Sequence, residues 1–520
     1  MADWGDGYVT DVAYVAGYHS ETSPVWMTTV VTVLGFAAPD LTRPFRYADL
    51  GCGNGVTALN VAATMPNAEV WGFDFNPAHV EAGRELARRA GLTNVRFEEA
   101  SFDDLARLPP EALPAFDHIV AHGVLSWISL ENRRRLFQVI GRWLAAGGLA
   151  YLSYNVPPGW TGMRPVRTLM RLLVEASPER TDAAAAGVFE TLEKMKAAGA
   201  AMFAAHPSLD SRLSGMRGSD PRYVAHELLN RDWHPVMFDE VASDMAAIKC
   251  EHIGSATLPD NFENMTIPPA MRDMVRQART PRVRETLRDL ASASGFRRDL
   301  FQRGPRKMSA AEHEGRVNAV ILTRTTKPVP AAPSVATALG SFTLQDAHHA
   351  TLLKRLDAAP LTIGAIRALD FLADRPPAEV FSDLVLMLAG GYVAPMVPDA
   401  MVPDGPDDAA RAACARLNRV YAEMFEAGRD LPLLACPAIG TALSANFLEI
   451  LTADALLAGV APEWEALADA VLIRLRRSGR TLNQNGREIA DPVSLRGHVA
   501  EEIRGIMPRL PMMRRLGVLS

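Results

Sequence analysis

Between Phe45 and Pro66 the chain reads FRYADLGCGNGVTALNVAATMP. A short apolar run, Tyr47–Leu50, meets a turn with glycine at 51, 53 and 55, and a helix-forming stretch, Val56–Ala63, follows. No other feature constrains the fold as strongly. A strand that turns through glycines into a helix is the opening unit of a parallel α/β sheet. The missing side chains let backbone approach a ligand, and the helix N-terminus offers it free N–H groups.

The residue types narrow the ligand. A dinucleotide fingerprint needs glycine at position 56, where Val56 stands. Asp49 closes the first strand just before the turn. A carboxylate there repels a pyrophosphate and attracts a cation. The second strand, within AEVWGFDFNP (68–77), ends at Asp74; Phe75 follows, then Asn76 as N-cap and Pro77 at the first helical position. A carboxylate closing the second strand commonly takes ribose hydroxyls. One acid for an ammonium and one for a ribose fit S-adenosyl-L-methionine better than NAD. Asp49, Gly51, Gly53, Asn54, Asp74 and Phe75 are the first candidate cofactor contacts.

The strand–helix rhythm continues. Helix 77–90 sets Val80, Leu86 and Ala87 against Glu81, Arg84 and Arg88. A third strand, 94–98, leads to Ser101 and Phe102, which the family resemblance set out below places at the edge and over the face of the adenine. A fourth strand spans 116–121. Helix 132–146 turns Leu136, Ile140, Trp143 and Leu144 inward and is expected to stop at Gly147-Gly148; a fifth strand, 149–154, follows. Ligands sit beyond the carboxyl ends of such strands. His122, Ser126 and Trp127 follow strand four, and Tyr154, Asn155 and Trp160 follow strand five. Tyr154 and Asn155 suit hydrogen bonds from a neutral amine, and Trp127 and Trp160 suit the flanks of an aliphatic chain or cation. His122 suits contact with the cofactor or proton removal from an oxygen acceptor. Upstream, AYVAGYHSETSP (13–24) carries Tyr14 and Tyr18. The family resemblance set out below implies a lid over the cofactor, oriented by His19 or Glu21; the residues alone equally fit the half-buried face of an N-terminal helix. Tyr18 is counted among the candidate cofactor contacts.

The motif D-L-G-C-G-N-G followed by G-F-D resembles the class I S-adenosylmethionine-dependent methyltransferases over about Tyr47 to Asn155. Further on stand SYN-x-x-PGW (153–160), H-E-x-L-N-x-x-W-x-P-x-x-F (226–238), IGSA (253–256) and FRRDLFQRG (296–304). From about Tyr8 to Gly304 these are similar to methyltransferases carrying a methyltransferase regulatory domain, a group that includes bacterial outer-membrane-protein lysine methyltransferases. The resemblance implies an α/β, Rossmann-like seven-stranded core, S-adenosyl-L-methionine as cofactor, and transfer of a methyl group to a protein or small-molecule acceptor. Protein lysine leads. A small-molecule N- or O-methyltransferase of a biosynthetic pathway and a non-catalytic cofactor-binding regulatory protein stay open.

A chain of 520 residues leaves room for several units. Residues 1–160 read as the cofactor core. Residues 161–222 read as a helical insertion whose stripe Leu169, Leu172 and Leu173 packs on the core or on a second copy, so that a homodimer is one expectation. Residues 223–324 complete the core and form a regulatory or middle unit, with a sixth strand at 251–258 and a seventh at either 296–303 or 318–324. Residues 325–342, within TRTTKPVPAAPSVATAL, read as a linker. Residues 343–520 read as mostly helical, with a winged-helix-like unit at 343–398. Its third helix, AEVFSDLVLMLA, is acidic and apolar, and the net charge is −6; both argue against nucleic acid. The four cysteines, 52, 250, 414 and 436, are dispersed and lack zinc spacing, so no metal is expected and a reducing, cytoplasmic setting is. MADWGDGYVTD lacks the pattern of a signal peptide, and no apolar run long enough to insert into a membrane occurs.

Overall fold

The computed structural model of the chain describes residues 7–8, 17–179, 181–330, 333–344, 347–398, 407–484 and 487–519. Tyr14 lies outside them. The core strands are β1 (Phe45–Leu50), β2 (Ala68–Asp74), β3 (Val95–Glu99), β4 (Phe116–Ala121), β5 (Leu144–Asn155), β6 (Cys250–Ser255) and β7 (Phe296–Arg303). They form one sheet in the order β3-β2-β1-β4-β5-β7-β6. β1 to β5 pair in parallel, and β7 runs antiparallel between β5 and β6. Strand order reverses between β1 and β4, which opens a crevice at their carboxyl ends. The seventh strand is thus 296–303, and 321–324 belongs to a second sheet.

Strand residues alternate between two apolar layers. Tyr47, Val70 and Tyr151 face α1 (Pro24–Val33), α2 (Val56–Thr64) and α3 (Pro77–Ala90). Ala48, Leu50, Phe73, Leu152 and Tyr154 face α4 (Phe102–Arg107), α5 (Leu130–Trp143) and the helix Phe238–Ala247. At the start of α3, the Asn76 side chain accepts from the Ala78 amide and Pro77 holds the first position, as the residue pattern dictates.

The end of α5 departs from expectation. The helix stops at Trp143, and Leu144 already pairs with Phe116. The next pair is His118 with Leu149, so residues 145–148 form a bulge in β5. Gly147, at φ +79°, turns that bulge instead of capping a helix, and its carbonyl accepts from Gln302 Nε2 at 2.8 Å.

The insertion contains the helices Met163–Glu175, Thr181–Ala197, Ser208–Arg217 and Pro221–Leu228. Its buried stripe is Met163, Val166 and Met170, packed with Trp127, Trp160 and Trp233. Leu169 and Leu173 flank that cluster, whereas Leu172 is exposed. The proline-rich stretch after 325 is more than a linker: Ser334–Thr337 pairs with Gly340–Thr343 as a hairpin, and Val335 and Leu344 join the main core. Within 343–398, strands Leu361–Thr362 and Val393–Pro395 flank Ile321–Arg324 in a three-stranded antiparallel sheet, covered by helices Ala347–Ala358 and Pro377–Ala389.

The C-terminal region is fastened to the core. Helix Asp408–Glu426 lies against α2 and α3, and every residue of α2 except Thr57 is buried. Asn60 Nδ2 donates to the Tyr421 hydroxyl at 2.8 Å, Arg416 Nε donates to the Ala90 carbonyl at 2.8 Å, and Arg89 pairs with Glu423 at 2.6 Å. Hairpin Leu433–Cys436/Thr441–Ser444 closes the same side.

Candidate active site

The glycine turn after β1 is shaped by two close approaches. A Cβ on Gly51 would stand 2.6 Å from the Val124 side chain, and one on Gly55 would stand 2.3 Å from the Phe97 ring. Both positions also have positive φ. A Cβ on Gly53 would meet nothing within 4 Å, so this position borders open crevice. Asn54 lies half-buried in the same turn.

Asp74 organises the turn from β2. Its carboxylate accepts from the Gly53 amide at 2.8 Å and the Asn76 amide at 2.9 Å, and meets His79 Nδ1 at 3.2 Å. Asp49 is equally buried, but no cationic side chain pairs with it among the described residues. Burial, with the Asp74 charge adding, pushes its carboxyl up to about 7. Two buried acids beside an open turn, with one lacking a cation, fit a ligand that brings an ammonium and vicinal hydroxyls. Asp49 would hold the ammonium of S-adenosylmethionine and Asp74 its ribose.

Phe75 meets Tyr8 edge-on at 5.8 Å, and Tyr8 lies 5.3 Å from His226. Among the described residues upstream of β1, Tyr8 is thus the tyrosine that packs against the residue following β2, whereas a lid was expected from Tyr14 and Tyr18. Ser101 is committed to a cap: its hydroxyl donates to Asp104 Oδ2 at 2.6 Å and accepts from the Asp104 amide at 3.1 Å. Phe102 opens α4, half-buried against the second apolar layer.

Tyr18 points elsewhere. Its hydroxyl bonds the Thr441 hydroxyl and accepts from the Ala442 amide at 2.8 Å, so it ties the N-terminal segment to the C-terminal hairpin instead of binding cofactor. Its neighbour His19 stacks on His122 at 3.4 Å. His122 Nδ1 bonds the Tyr151 hydroxyl at 2.8 Å. Burial, with His19 and Arg298 adding, holds His122 well below the usual imidazole range, so it is neutral and a weak base.

Tyr154 also departs from its expected place. It sits on the α5 face of β5, fully buried, and its hydroxyl donates to Asp299. Asp299 is gripped by Arg297 at 2.8 Å and His252 at 3.1 Å, and Arg297 also pairs with Asp289 at 2.7 Å and Glu285 at 3.1 Å. This is a buried ionic cluster behind the sheet, not an acceptor site. Strand parity decides it: Ser153 and Asn155 take the other face. Ser153 Oγ accepts from the Gly123 amide at 2.8 Å.

Asn155, fully buried, lies on the face of β5 opposite Tyr154. Its amide donates to Ser126 Oγ at 2.8 Å, and its carbonyl accepts from the Val236 amide at 2.7 Å. Trp127 is buried, and its Nε1 donates to the Glu227 carbonyl at 3.2 Å. Trp160 packs edge-on against Trp233 at 5.3 Å, with the Arg212 guanidinium 4.3 Å over its ring. The half-buried Glu227 side chain lies beside Asn155, and burial pushes its carboxyl up to about 7 although Asn155 and Arg212 oppose the shift. Glu227 and His226 stand in the quoted H-E-x-L-N motif, but a motif without its fold assigns neither a role.

A separate cleft of about 1190 Å³ lies between the N-terminal segment and the C-terminal region; Tyr18, His19, Glu21, Arg298, Lys327 and Glu449 are among its lining residues. Among the described residues no helix is long and apolar enough to cross a membrane.

Comparison with known proteins agrees with this geometry. A family described as methyltransferase domain matches residues 48–148, and one described as predicted methyltransferase regulatory domain matches 220–303. An uncharacterized protein of Synechocystis sp. is 30% identical over 525 residues, covering 99% of either chain. A trans-aconitate 2-methyltransferase of Methylobacterium radiotolerans is 35% identical over 138 residues, 26% of this chain and 47% of that one. The structure of PKMT2 from Rickettsia typhi in complex with AdoHcy superposes with a TM-score of 0.69 at 18% identity, covering 97% of this chain and 99% of that one.

Proposed function

Because the chain belongs to the class I S-adenosylmethionine-dependent methyltransferases that carry a methyltransferase regulatory domain, we propose that its acceptor is the side-chain amine of a protein lysine. S-adenosylmethionine, when bound, supplies a methyl group on a positively charged sulfur. The chain's own task is to seat the two partners in line and keep water out. Asp49 and Asp74 fix the donor, and Trp127, Trp160 and Asn155 border the space at the ends of β4 and β5.

One observation carries the preference for a lysine. Trp127 and Trp160, members of a buried aromatic cluster, lie near the polar pair Asn155 and Glu227, a set that suits a long aliphatic chain tipped by an amine. The likeness in fold to PKMT2 along nearly the whole chain, and the resemblance to outer-membrane-protein lysine methyltransferases, point the same way. The trans-aconitate relative matches over only 138 residues, 26% of this chain, which leaves most of the chain outside the likeness. A cytoplasmic setting and a homodimer belong to the same proposal.

Incubation of cell extract with methyl-labelled cofactor tests the reading. Label is expected in protein, on lysine after hydrolysis. Label only in extractable metabolites overturns the protein acceptor, and cofactor binding without any labelled product overturns turnover.

A further inference from the structure

We propose that Glu227 receives the acceptor's ammonium group and removes a proton from it, with Asn155 completing the pocket; this rests on the amine reading above. The placement carries the assignment. Helix Pro221–Leu228 carries both His226 and Glu227. At one side His226 reaches Tyr8, which covers Phe75 at the end of β2. At the other, Glu227 lies beside Asn155 at the end of β5. Glu227 is therefore held beside the residues that follow β4 and β5, Trp127 and Asn155.

The surroundings of Glu227 are unusually fixed. Trp127 donates to its carbonyl at 3.2 Å, Asp220 caps the helix through the Arg222 amide at 2.8 Å, and Val224, Ala225 and Leu228 are buried in the tryptophan cluster. Backbone bonds from His234 to Ser126 and from Val236 to Asn155, both 2.7 Å, sew the following segment to the ends of β4 and β5. The carboxylate itself makes no ion pair among the described residues. Arg212 faces it from helix Ser208–Arg217 but stacks on Trp160, and Tyr223 faces it from its own helix. Asn155 is 1% exposed, and its Nδ2 completes no hydrogen bond of proper length and angle, though its amide is near enough to help keep Glu227 ionised. A half-buried carboxylate that makes no ion pair among the described residues, with Asn155 Nδ2 beside it as a donor and Arg212 drawn onto the Trp160 ring, is complementary to an alkylammonium.

The chemistry balances simply. One N–H bond of the ammonium breaks, its proton passes to a Glu227 Oε, and the electron pair stays on nitrogen as the nucleophile. The proton then leaves Glu227 for solvent. A carboxyl of pKa about 7 is suited to this: it is ionised above neutrality, yet basic enough to compete for an ammonium proton once that ammonium is desolvated.

The test uses the full chain saturated with S-adenosylhomocysteine, with two probes followed by ligand-observed NMR. These are N-acetyl-lysine methylamide and the uncharged N-acetyl-norleucine methylamide. Wild type is expected to favour the lysine probe by about tenfold at pH 8 and to lose most of that preference at pH 6. Glu227→Gln is expected to show no preference at either pH while binding S-adenosylhomocysteine as wild type does; Glu227→Asp is expected to keep part of it. With protein substrate, kcat/KM of wild type should fall about tenfold per pH unit below about 7 and level off above. In Glu227→Gln it should climb without levelling toward the free amine's pKa of about 10.4. Unchanged probe preference and pH profile in Glu227→Gln, with lysine still labelled, overturn the assignment and leave the lysine reading standing. Glu227-dependent preference without labelled lysine supports the ammonium site and overturns that reading.

Discussion

The proposed donor site turns on Asp49. Burial raises its carboxyl to about 7, so in the ligand-free protein it is neutral below that pH and ionised above. An incoming ammonium needs the ionised form. Affinity for S-adenosylmethionine should therefore hold above about pH 7 and fall by up to tenfold per unit below it, as calorimetry across that range would register. Asp49→Asn should weaken binding at high pH and flatten this dependence. The glycines of the turn separate in the same way. Gly55→Ala drives a methyl into Phe97 at 2.3 Å, so the thermal midpoint and cofactor affinity should drop together. Gly53→Ala meets open crevice, and at φ +54° it should lower stability by only about 1 kcal/mol while cutting affinity more severely.

At the scale of elements, β5 shows what sequence can and cannot convey. The glycine turn, the acids closing β1 and β2, and the Asn76-Pro77 start of α3 were legible, because each depends on neighbours within a few positions. Tyr154 was not. Its direction depends on parity within a twelve-residue strand and on Asp299, 145 positions away. Gly147-Gly148 misled for a related reason: glycines that end a helix also turn a bulge, and only pairing with β4 distinguishes the two. Tyr154→Phe should accordingly cost about 1–2 kcal/mol in denaturant unfolding and leave cofactor affinity unchanged. Arg297→Met should cost more, about 3–5 kcal/mol, since it strips the cation from three buried carboxylates. Burial pushes Asp299 up, but Arg297 and His252 outweigh it and hold its carboxyl well below the usual range. Its contribution is thus present above the unfolded pKa and lost as pH falls. Without Arg297 the three acids should take up protons near neutrality, so Arg297→Met should recover more stability on mild acidification than wild type does.

The whole molecule is less divisible than its composition implies. The stretch read as a linker buries Val335, and the C-terminal helix Asp408–Glu426 covers α2, whose buried Asn60 needs Tyr421. A chain cut after residue 406 would expose that apolar surface and leave Asn60 Nδ2 without Tyr421. It should therefore lose cofactor binding and cooperative unfolding together, as calorimetry and thermal melts would reveal. A cut chain that still bound S-adenosylmethionine at full strength would contradict this picture of the packing.

Tyr18 and His19 are consecutive, yet one grips Thr441 and Ala442 and the other lies flat on His122. A single peptide plane thus joins the C-terminal hairpin to the end of β4. Any force that levers the hairpin Leu433–Ser444 outward must either snap the tyrosine's tether or peel the stacked imidazoles apart, so strain in the C-terminal region has a short mechanical route to the carboxyl edge of the sheet.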